Sequence, residues 1–193
     1  MALERPTLLK VIIGLLKPRE GGVYLEGEEI KPAKKASRKL LGYCPQENSF
    51  FDRLTVKENL KFFADLYNVK EESRLAEDLA SSLHLHTKIN EMASRLSGGM
   101  KRRLNIGCSL VHNPQILLLD EPSIELDPFS RHSLWKLIRN INKAGTTVIV
   151  STNSMEEANS LCSSVAFLLE GNVRYVGNPR NITKLMEESV WPE

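Results

Sequence analysis

Residues 96–127 read LSGGMKRRLNIGCSLVHNPQILLLDEPSIELD, and this stretch decides the fold. Ser97 followed by Gly98 and Gly99 is the pattern of a helix start, where glycines leave backbone amides open to an anion and the helix dipole favours negative charge. Leu104 and Val111 fit the buried side of that helix, and Asn113-Pro114 ends it. Ile116 to Leu119 is a continuous apolar run, the pattern of a parallel strand covered on both faces. It closes on two adjacent carboxylates, Asp120 and Glu121. The carboxyl end of a strand is where open α/β sheets place ligands. Asp127-Pro128 then pairs an N-cap with proline at the first helical position.

Working outward, residues 7–16 predict a mostly buried helix closed by Lys17-Pro18. Val23 to Leu25 and the residues around Ile30 predict a hairpin through Glu26-Gly27-Glu28. A strand is expected at Gly42-Tyr43-Cys44, stopped by Pro45. Thr55 and Glu58 form a capping box, followed by a stripe of Leu60, Phe63, Ala64 and Tyr67. Leu75, Leu79 and Leu83 give a second helical stripe. Leu134, Leu137, Ile138 and Ile141 give a third, which Gly145 closes. Residues 147–150 and 165–169 predict two more buried strands. Glu170-Gly171-Asn172 turns into a strand over 173–176, and Asn178-Pro179 leads into a last helix. Strands alternating with helices predict an α/β parallel sheet. The helices between about 55 and 112 lack intervening strands and read as an inserted helical subdomain.

The bulk properties bound the function. The chain has 193 residues and 21.8 kDa, enough for one domain with a real core. A net charge of +2 is too balanced to imply nucleic acid. The basic runs at 31–39 and at Lys101-Arg102-Arg103 read as solvated faces. Three separated cysteines, Cys44, Cys108 and Cys162, indicate free and mostly buried thiols in a reducing compartment. No apolar run is long enough to span a bilayer and no signal peptide is evident. A cytoplasmic chain that meets a membrane only through a partner is expected. His84-Leu85-His86 has no further ligand nearby and reads as a surface helix end.

Taken together, LSGGMKRRL, the strand ILLLDE, DPFSR and GYCPQ resemble the ATP-binding cassette (ABC) ATPase domains, with exporter-type ATPases the nearest match. The resemblance runs from Thr7 to about Leu185. It implies a P-loop NTPase-like α/β fold as a single domain, with residues 1–50 and 114–193 as the α/β core and roughly 51–113 as the helical subdomain. It implies ATP and Mg²⁺ as ligands. Ser97, Gly98 and Gly99 would grip the γ-phosphate of ATP bound to the opposite subunit. Asp120 would hold Mg²⁺ through water, and Glu121 would be the general base. Gln46 matches the glutamine that touches Mg²⁺ and senses the γ-phosphate, and Asp127 lies in the nucleotide-side set. Phe50, Phe51 and Leu54 are either core or the groove that accepts a permease's coupling helix. The implied partners are a membrane permease and a second ATP-binding subunit, in a homodimer or heterodimer.

The sequence departs from that family where phosphate is normally held. No G-x-x-x-x-G-K-[ST] occurs. Glu4, Arg5 and Pro6 fall in the register of its last glycine, its lysine and its Mg²⁺-binding hydroxyl, and the strand before that loop is missing. Asn153 stands where the family has a switch histidine, and an amide does not take up a proton near neutral pH. Ile124 and Glu125 replace small residues in the loop at the family's dimer interface. Losing one preorganised donor costs about 2.7–4 kcal/mol in such chemistry, and here several go together. The expectation is an ATP-binding subunit of an export system that does not hydrolyse ATP alone. A non-catalytic module docking on a permease or a paired ATPase, or a fragment of an intact ATPase, are the alternatives. In the family the missing strand lies between the strands matching 147–150 and 165–169. Either those two strands close on each other, or a partner supplies a strand, or the domain is weak.

Overall fold

The computed structural model describes residues 5–25, 27–30, 39–70 and 72–181. The central sheet has the order β3-β4-β5 and is parallel throughout, formed by β3 (Leu41–Cys44), β4 (Ile116–Asp120) and β5 (Thr147–Ser151). Its middle strand is β4, whose Leu117, Leu118 and Leu119 are completely buried. The continuous apolar run is therefore covered on both faces, as expected.

Register decides which side chain meets which layer. Leu41, Leu118 and Ile149 point to one face, where Leu9 of α1 (Arg5–Ile12) packs on them. Cys44, Leu117, Leu119, Val148 and Val150 point to the other. That second face is continuous with the helical side of the molecule. It comprises α2 (Val56–Leu66), α3 (Glu72–Ser82), α4 (Gly98–Leu110) and α5 (Pro128–Lys143). A single apolar cluster runs from Val56 and Leu60 through Leu104 and Ile106 to Leu134 and Ile138.

The starts and ends of these helices follow sequence chemistry. Thr55 Oγ1 accepts from the Glu58 amide, and Glu58 accepts from the Thr55 amide at 2.8 Å, which completes the capping box. Asp127 caps α5 with proline behind it, and Gly145 leaves that helix with φ +109°. Helix α4 is buried nearly all round because it is wedged between β3 and the α2–α3 pair. Gly42 allows that approach, since a Cβ there would meet the Ser109 carbonyl at 2.5 Å.

Three expectations are corrected. First, β5 and β6 (Val165–Leu169) are not buried strands; none of their residues is fully buried. Strand β6 pairs antiparallel with β7 (Asn172–Gly177) in a separate ribbon, so β5 is a sheet edge. The two strands do not close on each other. Second, the N-terminal helix ends at Ile12 and, among its residues of described burial, buries only Leu9, while Leu8, Leu15 and Leu16 are exposed. Its contacts with the sheet centre on Leu9, which packs on Leu41, Leu118 and Ile149. Third, Arg102 is not a solvated charge but 5% exposed.

The hairpin of β1 (Tyr24–Leu25) and β2 (Glu28–Glu29) forms as read. In α3 the fully buried residues are Ala76 and Ala80, with Leu75 and Leu79 beside them. All three cysteines are free, and Cys44 and Cys108 are buried. Glu4, the basic run before Lys39 and most of the stretch expected to form a last helix lie outside the described residues.

Candidate functional site

The carboxyl end of β4 gathers the expected acidic pair, and its neighbours explain the placement. Asp120 is 4% exposed. One of its carboxylate oxygens accepts from Ser151 Oγ at 2.6 Å and the other from the Tyr43 hydroxyl at 3.4 Å. Ser151 stands opposite it in the β4–β5 register, and Tyr43 comes from β3. Burial, then the Asp120 charge, pushes the Tyr43 hydroxyl up to about 12, so it remains a donor throughout the neutral range.

Glu121 leaves the strand with φ +43°, a conformation uncommon outside glycine. Its amide donates to the Ser151 carbonyl at 2.9 Å. Its carboxylate accepts from the Asn153 amide at 3.3 Å. Asn153 is exposed. The two residues meet, but through a backbone N–H rather than the Asn153 side chain.

Glu121 and Asn153 line a cleft of about 210 Å³ with Ser123, Ile124, Glu125, Arg131 and Glu157. Its carboxylates outnumber its single guanidinium, and Arg131 is already turned to Glu156 at 3.3 Å. Glu125 sits at φ +60°. Such a cleft disfavours a triphosphate. No group of three His, Cys, Asp or Glu able to hold a metal ion occurs among the described residues. The oxygens of Asp120 are turned to this chain's own hydroxyls. The residues present therefore do not fit a complete ATP–Mg²⁺ site.

The glycine turn lies elsewhere. Ser97 caps α4, accepting from the Met100 amide at 3.4 Å, and both Ser97 and Gly98 are exposed. Gly99 lies against Ser130 at the start of α5. None of the three lines the cleft beside Glu121. Asp127 is exposed and accepts from the Ser130 amide at 3.0 Å. Those Ser130 hydrogen bonds hold its carboxyl below the usual range.

The loop from Pro45 to Leu54 is anchored by buried polar side chains, and sequence reading missed its anchors. Arg102 donates to the Pro45 carbonyl at 2.6 Å, the Gln46 carbonyl at 3.0 Å, the Asp120 carbonyl at 2.6 Å and the Pro122 carbonyl at 2.9 Å. Asn105 donates to the Pro45 carbonyl at 3.2 Å and the Glu47 carbonyl at 3.0 Å, and accepts from the Ser49 amide at 2.9 Å. Asn59, fully buried, accepts from the Phe51 amide at 2.8 Å and donates to the Phe51 carbonyl at 3.0 Å. Arg102, Asn105 and Ser109 lie on one face of α4, a polar stripe on a helix otherwise read for its apolar residues. That stripe was the signal available in the sequence.

The loop presents Gln46 to solvent. Phe50 is 8% exposed and belongs to the core, the first of the two alternatives open for it, so it is not part of a docking groove. Phe51 is 48% exposed and Leu54 half-buried. Phe51 packs edge-to-face on Phe62 at 4.9 Å, and Phe62 on Phe63 at 5.6 Å. Phe62, 39% exposed, extends the patch and was not singled out from sequence.

The comparisons agree with this geometry. Residues 5–124 match the ABC transporter family model. This chain belongs to the ABC transporter ATP-binding family. It is 38% identical over 177 residues to the human retinal-specific phospholipid-transporting ATPase ABCA4, covering 91% of this chain and 8% of that protein. It is 36% identical over 184 residues to the probable multidrug ABC transporter ATP-binding protein YbhF of Escherichia coli K12, covering 94% of this chain and 32% of that protein. The chain thus spans a third or less of these relatives' length. CbiO1 of Clostridium perfringens, described as part of the ABC transporter complex cbiONQ, superposes with a TM-score of 0.85 at 26% identity. That match covers 95% of this chain and 76% of the other. Another ATP-binding subunit of an ABC transporter gives a TM-score of 0.79, also at 26% identity. The P-loop NTPase-like α/β fold is therefore established, and no described helix is long and apolar enough to cross a membrane.

Proposed function

We propose that this chain serves an ABC-type export system as an ATP-binding-type unit that does not hydrolyse ATP by itself. It would offer Ser97, Gly98 and Gly99 to a nucleotide held by an intact second ATP-binding subunit of different sequence, in a heterodimer. It would meet a membrane permease through Phe51, Leu54 and Phe62, and so sit at the cytoplasmic face of the membrane. Within that reading Asp120, Glu121, Gln46, Asp127 and Asn153 keep the family's positions.

The observation that carries the proposal is a separation. The Ser97 helix start is exposed and well capped, while the carboxylates of β4 are held by Ser151, Tyr43 and the Asn153 amide. One half of a shared nucleotide site is presented, and the other is closed upon itself. The aromatic patch supports the docking half of the proposal, because an exposed apolar cluster held by buried hydrogen bonds suits a partner surface.

The test is ATP turnover by the purified chain, alone and mixed with an ABC ATPase subunit that retains G-x-x-x-x-G-K-[ST]. No turnover is expected alone. The mixture should hydrolyse ATP, and Ser97→Arg in this chain should depress that rate. Turnover by the chain alone that Glu121→Gln abolishes would refute the proposal.

A further inference from the structure

Four backbone carbonyls converge on one buried side chain of α4. Arg102 donates to the carbonyls of Pro45 and Gln46, just past β3, and to those of Asp120 and Pro122, at the end of β4 and just past it. A guanidinium is a rigid planar fork. Holding acceptors from two segments therefore fixes those segments relative to each other and to the helix that carries the fork. Asn105, fully buried about one turn further on, holds the same loop through Pro45, Glu47 and Ser49. Arg102 reaches past that loop to β4.

The same helix begins at Ser97, about a turn and a half before Arg102. The Ser97 hydroxyl accepts from the Met100 amide and its carbonyl from the Lys101 amide, both within the helix's own first turn. Nothing lies within 4 Å of where a Cβ on Gly98 would stand. The placement of this end is thus set from further along α4. Leu104 and Ile106 hold the helix in the core, but apolar packing is non-directional. An apolar side chain in place of Arg102 would be less costly to desolvate, yet it would leave the ends of β3 and β4 unfastened from α4.

We propose that Arg102 is a positioning residue for the Ser97 site. It locks α4 to the ends of β3 and β4, so that Ser97, Gly98 and Gly99 meet a second subunit's nucleotide in one orientation. This deepens the reading of Ser97 given above and rests on it.

The full chain is titrated into a fixed amount of an ABC ATPase subunit that retains G-x-x-x-x-G-K-[ST], and turnover is read at saturation. A poorly folded variant is compensated by adding more chain, whereas a misplaced Ser97 lowers the plateau itself. Arg102→Met should lower the plateau about tenfold or more. Arg102→Lys keeps the charge without the fork, which guards against a Met variant that fails to fold, and should lower the plateau too. Trp135→Phe removes a buried 3.0 Å hydrogen bond elsewhere and should leave it unchanged. The second measurement needs no partner. Spin labels on Lys101→Cys and Thr147→Cys, in a Cys162→Ser background, report the distance from the first turn of α4 to β5. The distribution should be narrow in the otherwise unaltered chain and in Trp135→Phe, and broadened or shifted in both Arg102 variants. An unchanged plateau or an unchanged distribution in the Arg102 variants would overturn the proposal. An equal fall in the Trp135→Phe plateau would overturn it as well, by making the loss one of general stability. Failure of the Ser97 reading looks different: Ser97→Arg would then leave the plateau untouched, and the distance distribution alone would decide whether Arg102 fixes the start of α4.

Discussion

The two sides of β5 are lined by similar apolar residues and reach different states. On the β4 side, Leu117, Leu118 and Leu119 have no exposure at all and share a cluster with helices on both faces. On the β6 side, Val165, Phe167 and Leu168 are only half-buried, and an open cleft lies between them and β5. Composition alone does not make the difference, since TVIV and VAFL are also mostly apolar. What differs is whether a neighbouring strand is present to bring the helices down onto both faces. Burial here is a property of the completed sheet rather than of the strand.

The largest expected effect breaks that comparison most directly. Leu118→Ala in β4 should lower stability by about 2–5 kcal/mol, because a closed site leaves a cavity. Phe167→Ala in β6 should cost under about 1 kcal/mol, as for substitutions away from packed features. Urea denaturation of both variants decides it. Equal losses would mean that the open side is packed in solution.

A smaller effect sharpens the closed side. Arg102 satisfies four backbone carbonyls that join the Pro45–Gln46 loop to the end of β4. Arg102→Met keeps most of the volume and orphans those acceptors, so a loss of about 2 kcal/mol is expected. Lys101→Met, one residue away and half-exposed, should change stability by no more than about 0.5 kcal/mol. If the two variants lose the same amount, the guanidinium does not hold the loop. Next comes Trp135, whose indole N–H donates at 3.0 Å to Glu157 Oε1 in a residue pair about 1% exposed. Trp135→Phe strands that carboxylate oxygen and should cost about 1–3 kcal/mol, close to the Arg102 effect.

What the sequence made legible follows from how local the physics is. The capping box at Thr55, the Asp127 cap, the β1–β2 hairpin and the β4 strand each depend on a few adjacent residues, and all form. The acidic pair and the glycine turn were found because strand ends and helix starts are marked locally. Burial of β5 and β6 was misjudged because it depends on a strand that is not among the described residues. Arg102 was misread for the opposite reason. Its acceptors lie 18 to 57 positions away in the chain, so a run of three basic residues looks like surface until the fold brings Pro45 and Asp120 to it. Phe50 and Phe51 are neighbours with opposite fates, and the Asn59 hydrogen bonds to the Phe51 backbone that accompany this come from a residue eight positions on.

The smallest expected effect lies at the rim of the closed side. His112 stacks on Tyr67 with ring centroids 3.8 Å apart, and its Nε2 lies 3.1 Å from the Leu41 carbonyl at the start of β3. Its Nδ1 is buried without a hydrogen-bond partner. Burial holds its pKa below the ordinary 6.5, opposed by the Leu41 carbonyl. The folded state thus prefers the neutral ring. A group depressed in this way contributes stability that is present above 6.5 and lost as pH falls through its folded value. The urea midpoint should therefore drop on acidification below that point. His112→Gln keeps a donor for Leu41, cannot titrate, and should flatten this part of the profile. A profile of unchanged slope would show that protonation of His112 costs the packed half nothing, and that β3 is held by its register with β4 rather than by the ring above it.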